Sequence, residues 1–327
     1  MINRLKASIA AAGTVLLAVA TLSGASAAES VSIRLKWVPQ AQFAGIYVAK
    51  AKGFYSDAGL DAKINPGGPN INVETLVASG ADTFGIASGT EGMLYAREKG
   101  LPLVCIFAYV TYDTSGIKTV QDFKGKKVAT WFTGTQYTLY SVLAHEHIAQ
   151  SDLQIVAEPF SMQPFIDKQF DVGTVTVYNE LNVLKEQGVN NIKLFYPDDS
   201  GVTTQQDSIV TSEKMIKEKP AEVQAYLNAT LKGWKYAFEH KSEAIDIVMA
   251  AGSGLDRKHQ ELMLDAIEKL MTANAGGKEG LGAIDLKSIS DVQDSLVSFK
   301  ALKAPVDLKA AFDTSFWAKV PLDDKKL

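Results

Sequence analysis

Apolar and polar positions alternate from Ser32 to Trp37, with Ile33, Leu35 and Trp37 on one side and Ser32, Arg34 and Lys36 on the other. That period of two predicts a strand, which Pro39 ends. From Ala41 the period changes. Phe43, Ile46, Tyr47 and Lys50 have helical spacing, and Gly53 supplies the stop. The pattern then predicts a strand over 61–65, a helix over 73–78, a strand over 83–87, a helix over 91–98 and a buried strand over 103–108. The alternation restarts with a strand at 126–131, a helix at 137–149, a strand at 154–157 and a helical turn at 164–169. It continues with a strand at 172–177, a helix at 179–187 and a strand at 192–196. Ser208 to Thr211 reads as a strand running back across. The remainder is helical, over 220–239, 242–249, 258–271 and 289–300.

Two runs of alternating strands and helices predict an α/β fold of two lobes, each a mainly parallel sheet flanked by helices. Ligands of open α/β sheets bind at the carboxyl ends of strands. Two such lobes facing each other make a ligand cleft with a hinge between them. The candidate hinges lie near Tyr109–Ser115 and near Asp198–Asp207. The expected organisation is a leader over 1–27, lobe one over 28–112 with 206–327, and lobe two over 113–205.

The leader follows from a positive start, Arg4 and Lys6, a nearly all-apolar or small run from Ala7 to Ala20, and the small-x-small site Ala25-Ser26-Ala27. The run is short for a membrane span, so the expected mature chain starts at Ala28 without inserting in the membrane. The formal net charge is −4, and loss of Arg4 and Lys6 leaves about −6. No basic run suggests a nucleic-acid groove. Downstream of the leader only Arg34, Arg97 and Arg257 offer the guanidinium fork that suits phosphate, sulfonate or carboxylate. Cys105 is the single cysteine, so an internal disulfide is excluded and the fold must stand on its apolar core, 46% of the residues being hydrophobic.

Four segments carry a family resemblance: LKWVPQAQFAGIYVAKAKGFYSDAGLD (35–61), VASGADTFGIAS (77–88), SGIKTVQDFKGKKVATW (115–131) and DVGTVTVYNEL (171–181). They resemble the periplasmic binding proteins related to thiamine-pyrimidine biosynthesis proteins, alkanesulfonate binders and nitrate binders. The branch with Trp-Val-Pro and Tyr-Asn-Glu is most similar to binders of thiamine-pyrimidine precursors and flavin-like heterocycles. Two departures are visible. Trp131 to Gln136 stands where relatives often show Gly-Asn-Glu, and the stretch from Cys105 to Gly116 is short for the family. The resemblance implies a type II periplasmic-binding-protein fold, a periplasmic location, a small-molecule ligand, the transmembrane subunits of an ABC importer as partners, and a monomer without cofactor.

Candidate ligand residues cluster at strand ends. Trp37, Gln40 and Gln42 sit where the first strand opens into the first helix, with Tyr47 on that helix. An indole face suits a planar ring. Ser88, Gly89 and Thr90 end a strand and precede a helix, where N–H groups and hydroxyls meet polar ligand atoms but also make ordinary caps. Gly134, Thr135, Gln136 and Tyr137 form the equivalent turn in lobe two. Tyr178, Asn179 and Glu180 follow a β-branched strand, and Glu180 is expected to receive the nitrogens of an aminopyrimidine.

No catalytic or metal site is expected. His145 and His147, at i and i+2, point to different helix faces. Gly125-Lys126-Lys127 lacks the rest of a P-loop, and no Ser-His-Asp set or zinc spacing occurs. A flavin or an alkanesulfonate- or nitrate-type anion is the alternative ligand. A pyrimidine-synthase-like enzyme, which the fold also hosts in eukaryotes, is the weaker alternative, since those relatives are cysteine-rich around the active site.

Overall fold

The first strand, β1 (Glu29–Arg34), buries Val31 and Ile33 on one face, as the alternation requires. It lies between two parallel neighbours, β2 (Leu60–Asn65) and β3 (Phe84–Ile86), and β9 (Ile209–Thr211) adds antiparallel to β3. The sheet order is therefore β2-β1-β3-β9. The computed structural model describes residues 28–87, 108–132, 135–200, 202, 207–298 and 302–327. The leader, the helix over 91–98, residues 103–107 with Cys105, and the candidate residues Ser88, Gly89, Thr90 and Gly134 lie outside them.

The second lobe is built from β4 (Ala108–Tyr112), β5 (Lys127–Thr130), β6 (Gln154–Ala157), β7 (Gly173–Val175) and β8 (Ile192–Phe195). β4 is antiparallel to both its neighbours, β7 and β8. β5 and β6 pair in parallel, and a parallel bridge between Val128 and Val172 joins them to β7. Each lobe thus has one strand running against the rest, β9 in the first and β4 in the second. Among the described strands, each of the two follows, in sequence, a strand of the opposite lobe.

This placement corrects the first expected hinge. Tyr109 and Val110 are fully buried and β4 is paired along both edges. Tyr109 to Tyr112 therefore cannot act as a free connection, and β4, which the expected boundary at 112/113 gave to lobe one, pairs in the second sheet. Apolar run length reports that a strand is buried but not which sheet it joins. The second expected hinge leads directly into β9.

Helices follow the predicted order with ends shifted by a few residues, as capping decides. They are α1 (Ala44–Ala51), α2 (Val73–Ala78), α3 (Gln136–His145), α4 (Glu180–Glu186), α5 (Pro220–Glu239), α6 (Lys241–Ala251), α7 (Arg257–Met271) and α8 (Leu286–Ser298). Asn72 caps α2 by accepting the Thr75 N–H, and Asp256 caps α7 by accepting the His259 N–H. A 3₁₀ turn, Ala41–Phe43, precedes α1.

The core of lobe one is the β1 face covered by α1, α5 and α7, including Ile33, Phe43, Ile46, Tyr226, Leu231 and Met263. α1 and α5 approach closely because both carry glycine at the crossing. A Cβ on Gly233 would sit 2.2 Å from the Gly45 carbonyl oxygen, and one on Gly45 would sit 2.3 Å from the Trp234 ring. A backbone oxygen cannot swing aside as a side chain can, so overpacking here forces the helices apart. Gly233→Ala is expected to destabilise the chain by about 1–3 kcal/mol. Urea unfolding checks this: the midpoint should fall while the slope stays constant, and an unchanged midpoint would show that the crossing is loose.

Candidate functional site

The facing ends of the strands border a small, partly open space lined by Lys36, Trp37, Gln40, Gln42, Trp131, Thr135, Thr176, Tyr178, Asn179 and Glu180. The residues come from both lobes. Lys36 to Gln42 leave the end of β1, Trp131 and Thr135 follow β5, and Thr176 to Glu180 follow β7.

Two of the walls are aromatic. The Trp37 ring lies edge-on to Trp131, with centroids 5.7 Å apart and planes at 65°. It also stacks on Phe160 at 5.6 Å and 6°. Trp131 is buried, whereas Phe160 is 58% exposed at the rim. Such pairs contribute about 0.5–1.5 kcal/mol beyond area burial.

The polar part of the lobe-one wall is a buried chain. Gln40 Nε2 donates to Gln42 Oε1 at 2.7 Å, Gln42 Nε2 donates to Asp207 Oδ2 at 2.8 Å, and Lys36 Nζ lies 2.5 Å from Asp207 Oδ1. Lys36, the one cation lining the space among the described residues, is therefore paired within the protein. The backbone of the same turn is pinned from α7. Ala41 N–H donates to Gln260 Oε1 at 2.7 Å, and Gln42 N–H to Met263 Sδ at 3.2 Å.

On the lobe-two wall Glu180 opens α4 and folds back over the turn that precedes it. Its Oε2 accepts the Thr176 N–H at 2.9 Å and the Thr176 hydroxyl, and its Oε1 accepts Asn179 Nδ2 at 2.7 Å. An ionised carboxylate has roughly four acceptor sites. Among the described residues three are used internally, which leaves one on Oε1.

Behind this wall lies a second carboxyl. Glu158 follows β6 and is 4% exposed. Its Oε2 accepts the Thr174 N–H at 3.0 Å, and its Oε1 has no hydrogen-bond partner. Burial, opposed by the Thr174 bond and reinforced by the charge of Glu180, pushes its pKa up to about 8. Burial thus favours the protonated form of Glu158 behind the hydrogen-bonded Glu180 turn.

Of the sequence-predicted residues within the described chain, Trp37, Gln40, Gln42, Thr135, Tyr178, Asn179 and Glu180 line the space. Tyr47 does not: it is buried in the lobe-one core, where loss of water pushes its phenol up to about 12. Gln136 starts α3, its N–H donating to the Trp131 carbonyl at 3.1 Å, and does not line the space. Tyr137 packs instead against the apolar cluster of Val73, Val77 and Ile289. A helix-face tyrosine has a large apolar body to bury: Tyr47 buries it within the lobe-one core, and the half-buried Tyr137 packs it against a lobe-one cluster. Lys36, Trp131 and Thr176 were missed. Trp131 lay within a recognised strand-end segment, and Thr176 stands four residues before Glu180, the spacing that lets the carboxylate reach back.

Two α/β lobes, one antiparallel crossing strand in each, and a polar and aromatic space at the facing strand ends define the two-lobed periplasmic-binding-protein fold. The solved structure of the alkanesulfonate-binding protein SsuA from Xanthomonas axonopodis pv. citri, bound to MOPS, shares this fold with a TM-score of 0.64. The match covers 88% of this chain and 99% of that one at 17% identity. The NMT1/THI5-like family matches residues 40–244, and the chain belongs to that family. It is 26% identical over 315 residues to the formylaminopyrimidine-binding protein of Halalkalibacterium halodurans, covering 90% of this chain and 92% of that one. It is 24% identical over 313 residues to the riboflavin-binding protein RibY of Chloroflexus aurantiacus, covering 88% and 86%. Among the described residues no helix is long and apolar enough to cross a membrane. None of their His, Cys, Asp and Glu side chains form a group of three or more that could hold a metal ion.

The buried acid gives a pH dependence of known sign. Glu158 carries its proton in the folded state up to about 8, against 4.5 for the unfolded side chain. Between those values folding takes up a proton, so the contribution is fully present below 4.5 and is lost as the pH rises through 8. Glu158→Gln should flatten this loss, which is on the order of a few kcal/mol in wild type. Urea titrations at about pH 5, 6.5 and 8 measure it. Identical slopes for the two proteins would place Glu158 in contact with water.

Proposed function

We propose that this chain is the periplasmic solute-binding subunit of an ABC-type importer, closing its two lobes on a small planar N-heterocycle of the aminopyrimidine class. The observation that carries the reading is the remaining acceptor site on Glu180 beside the indoles of Trp37 and Trp131. An aminopyrimidine offers an N–H for the carboxylate and a flat face for the rings. A charge-assisted hydrogen bond contributes about 1.5–3 kcal/mol, enough to select such a ligand from an isosteric one without the donor. The names borne by the relatives, one a formylaminopyrimidine binder and one a riboflavin binder, agree with a heterocycle.

In this reading the leader over 1–27 delivers a monomer to the periplasm, where the importer's transmembrane subunits receive the ligand, and the protein binds and releases without making or breaking bonds. The ligand residues are Trp37, Gln40, Gln42, Thr135, Tyr178, Asn179 and Glu180, joined by Lys36, Trp131 and Thr176. A flavin is the second reading, favoured by the cluster of Trp37, Trp131 and Phe160. The anion reading is weaker, because Lys36 is already paired with Asp207 and Glu180 repels a sulfonate or nitrate.

Calorimetric titration with 4-amino-5-hydroxymethyl-2-methylpyrimidine, riboflavin, taurine and nitrate tests the assignment. Glu180→Gln turns one acceptor into a donor and should weaken aminopyrimidine binding about ten- to a hundredfold. Equal affinities for wild type and variant, or tight taurine binding by wild type, would remove the aminopyrimidine assignment. Ligand binding should also quench or shift tryptophan emission, and Trp37→Phe should lose most of that signal. A signal that survives intact places Trp37 outside the ligand contact.

A further inference from the structure

His259 stands in the first turn of α7, on the lobe-one side, yet both its hydrogen-bond partners belong to lobe two. Nδ1 lies 2.8 Å from Glu186 Oε2 at the end of α4. Nε2 lies 2.9 Å from Asn179 Oδ1, just before α4 begins. The side chain is 11% exposed.

The orientation of Asn179 is settled by its other contact. Its Nδ2 donates to Glu180 Oε1 at 2.7 Å. Turning the amide over would set an oxygen against a carboxylate oxygen and lose that bond. The amide oxygen therefore faces His259. Both imidazole nitrogens then face acceptors, a carboxylate on one side and an amide oxygen on the other. A neutral imidazole has one N–H and satisfies only one of them, whereas the imidazolium satisfies both.

The same turns of α7 hold the opposite wall. Gln260 accepts the Ala41 N–H and Met263 accepts the Gln42 N–H. Residues 259, 260 and 263 thus tie the loop carrying Gln40 and Gln42 to the loop carrying Asn179 and Glu180.

We propose that His259 is a positioning residue that clasps the lobes as an imidazolium, holds the Asn179 amide and through it the Glu180 carboxylate, and makes cleft closure depend on its own proton. The proposal rests on Glu180 being the ligand-facing carboxylate. The charged groups around His259 fit this sign. From α4 it meets Glu186 directly and Glu180 through Asn179, with Lys185 on the same helix. On its own helix the Asp256 carboxylate takes its backbone N–H. From α6, Asp246 is paired with Arg257. The 3₁₀ turn Ala41–Phe43 brings no titratable side chain. Imidazoles change charge between about pH 5 and 8. A closed state that needs the proton is favoured below that range and weakened as the pH rises through it.

The test reads lobe separation without needing a ligand. Single-molecule energy transfer between dyes on Ala58→Cys and Gln187→Cys, in a Cys105→Ser background, follows the closed fraction, first alone and then with 4-amino-5-hydroxymethyl-2-methylpyrimidine. Wild type should show a closed-to-open ratio about tenfold higher at pH 6 than at pH 8.5. His259→Gln should be flat across this range and match wild type at the high-pH end. Glu186→Gln, a change at the half-buried side of the contact, should lose most of the pH response if His259→Gln fails to fold. A pH-independent ratio in wild type, or an unchanged pH response in both variants, overturns the clasp. The two readings separate in wild type itself: the pH response of the lobes without ligand tests the clasp alone, whereas the absence of any binding of the pyrimidine counts against the ligand assignment and leaves the clasp standing.

Discussion

Taking a carboxylate out of water costs several kcal/mol unless hydrogen bonds replace its hydration, and the lobe-two wall is organised around meeting that cost at Glu180. The turn between β7 and α4 supplies a backbone N–H, a hydroxyl and an amide within five residues, Thr176 to Glu180. The direction of the Glu180 side chain, the shape of the turn and the place of Tyr178 follow together. Tyr178 is carried into the apolar cluster of the other lobe. One local electrostatic demand therefore fixes a length of backbone that would otherwise be a free loop.

The two walls are held differently. Lobe two fixes its polar group by bonds within one turn, so that wall is ready before any ligand arrives. Lobe one fixes its glutamines by a chain running to Asp207, with the turn pinned from α7. Asp207 lies just ahead of β9, the strand by which the chain rejoins lobe one. The lobe-one wall is thus coupled to the connection between lobes, while the aromatic contact of Trp37 with Trp131 and Phe160 closes over it. A planar guest must displace or slide beside these rings, so its stacking gain is a difference between ring–ring and ring–ligand contacts.

The sequence made the order of elements legible because alternation and helical spacing are strong where one face is buried. The helices over 73–78 and 220–239 and the strand over 154–157 coincide with the observed elements. Sheet membership was not legible: Tyr109 and Val110 look the same whichever sheet they complete. Strand-end position led to most of the residues that line the space, including Trp37 and Glu180. Tyr47 and Tyr137 do not line it, because a tyrosine at helical spacing carries no mark of which way its helix will face. Lys36, Thr176 and His259 escaped for a different reason. Their roles exist only through partners distant in sequence or folded back by a turn, and composition does not encode those distances. Glu158 was likewise invisible, since a carboxyl's state depends on burial.

The antiparallel strand in each sheet has a consequence for how the chain acquires its shape. All strands of the second sheet lie within 108–195, a continuous stretch, whereas the first sheet waits for β9, whose Thr211 pairs with Phe84 across more than a third of the chain. Contacts of such sequence separation are slow to form because loop-closure entropy is paid before they reward it. The middle of the polypeptide can therefore collapse into its own sheet first, and the N-terminal half-sheet stays unfinished until the C-terminal helices, including the glycine-bearing partner of α1, are present. Truncation from the C-terminus would then remove the first lobe's stability out of proportion to the number of residues lost, while the segment around Glu180 could persist as an independently collapsed unit.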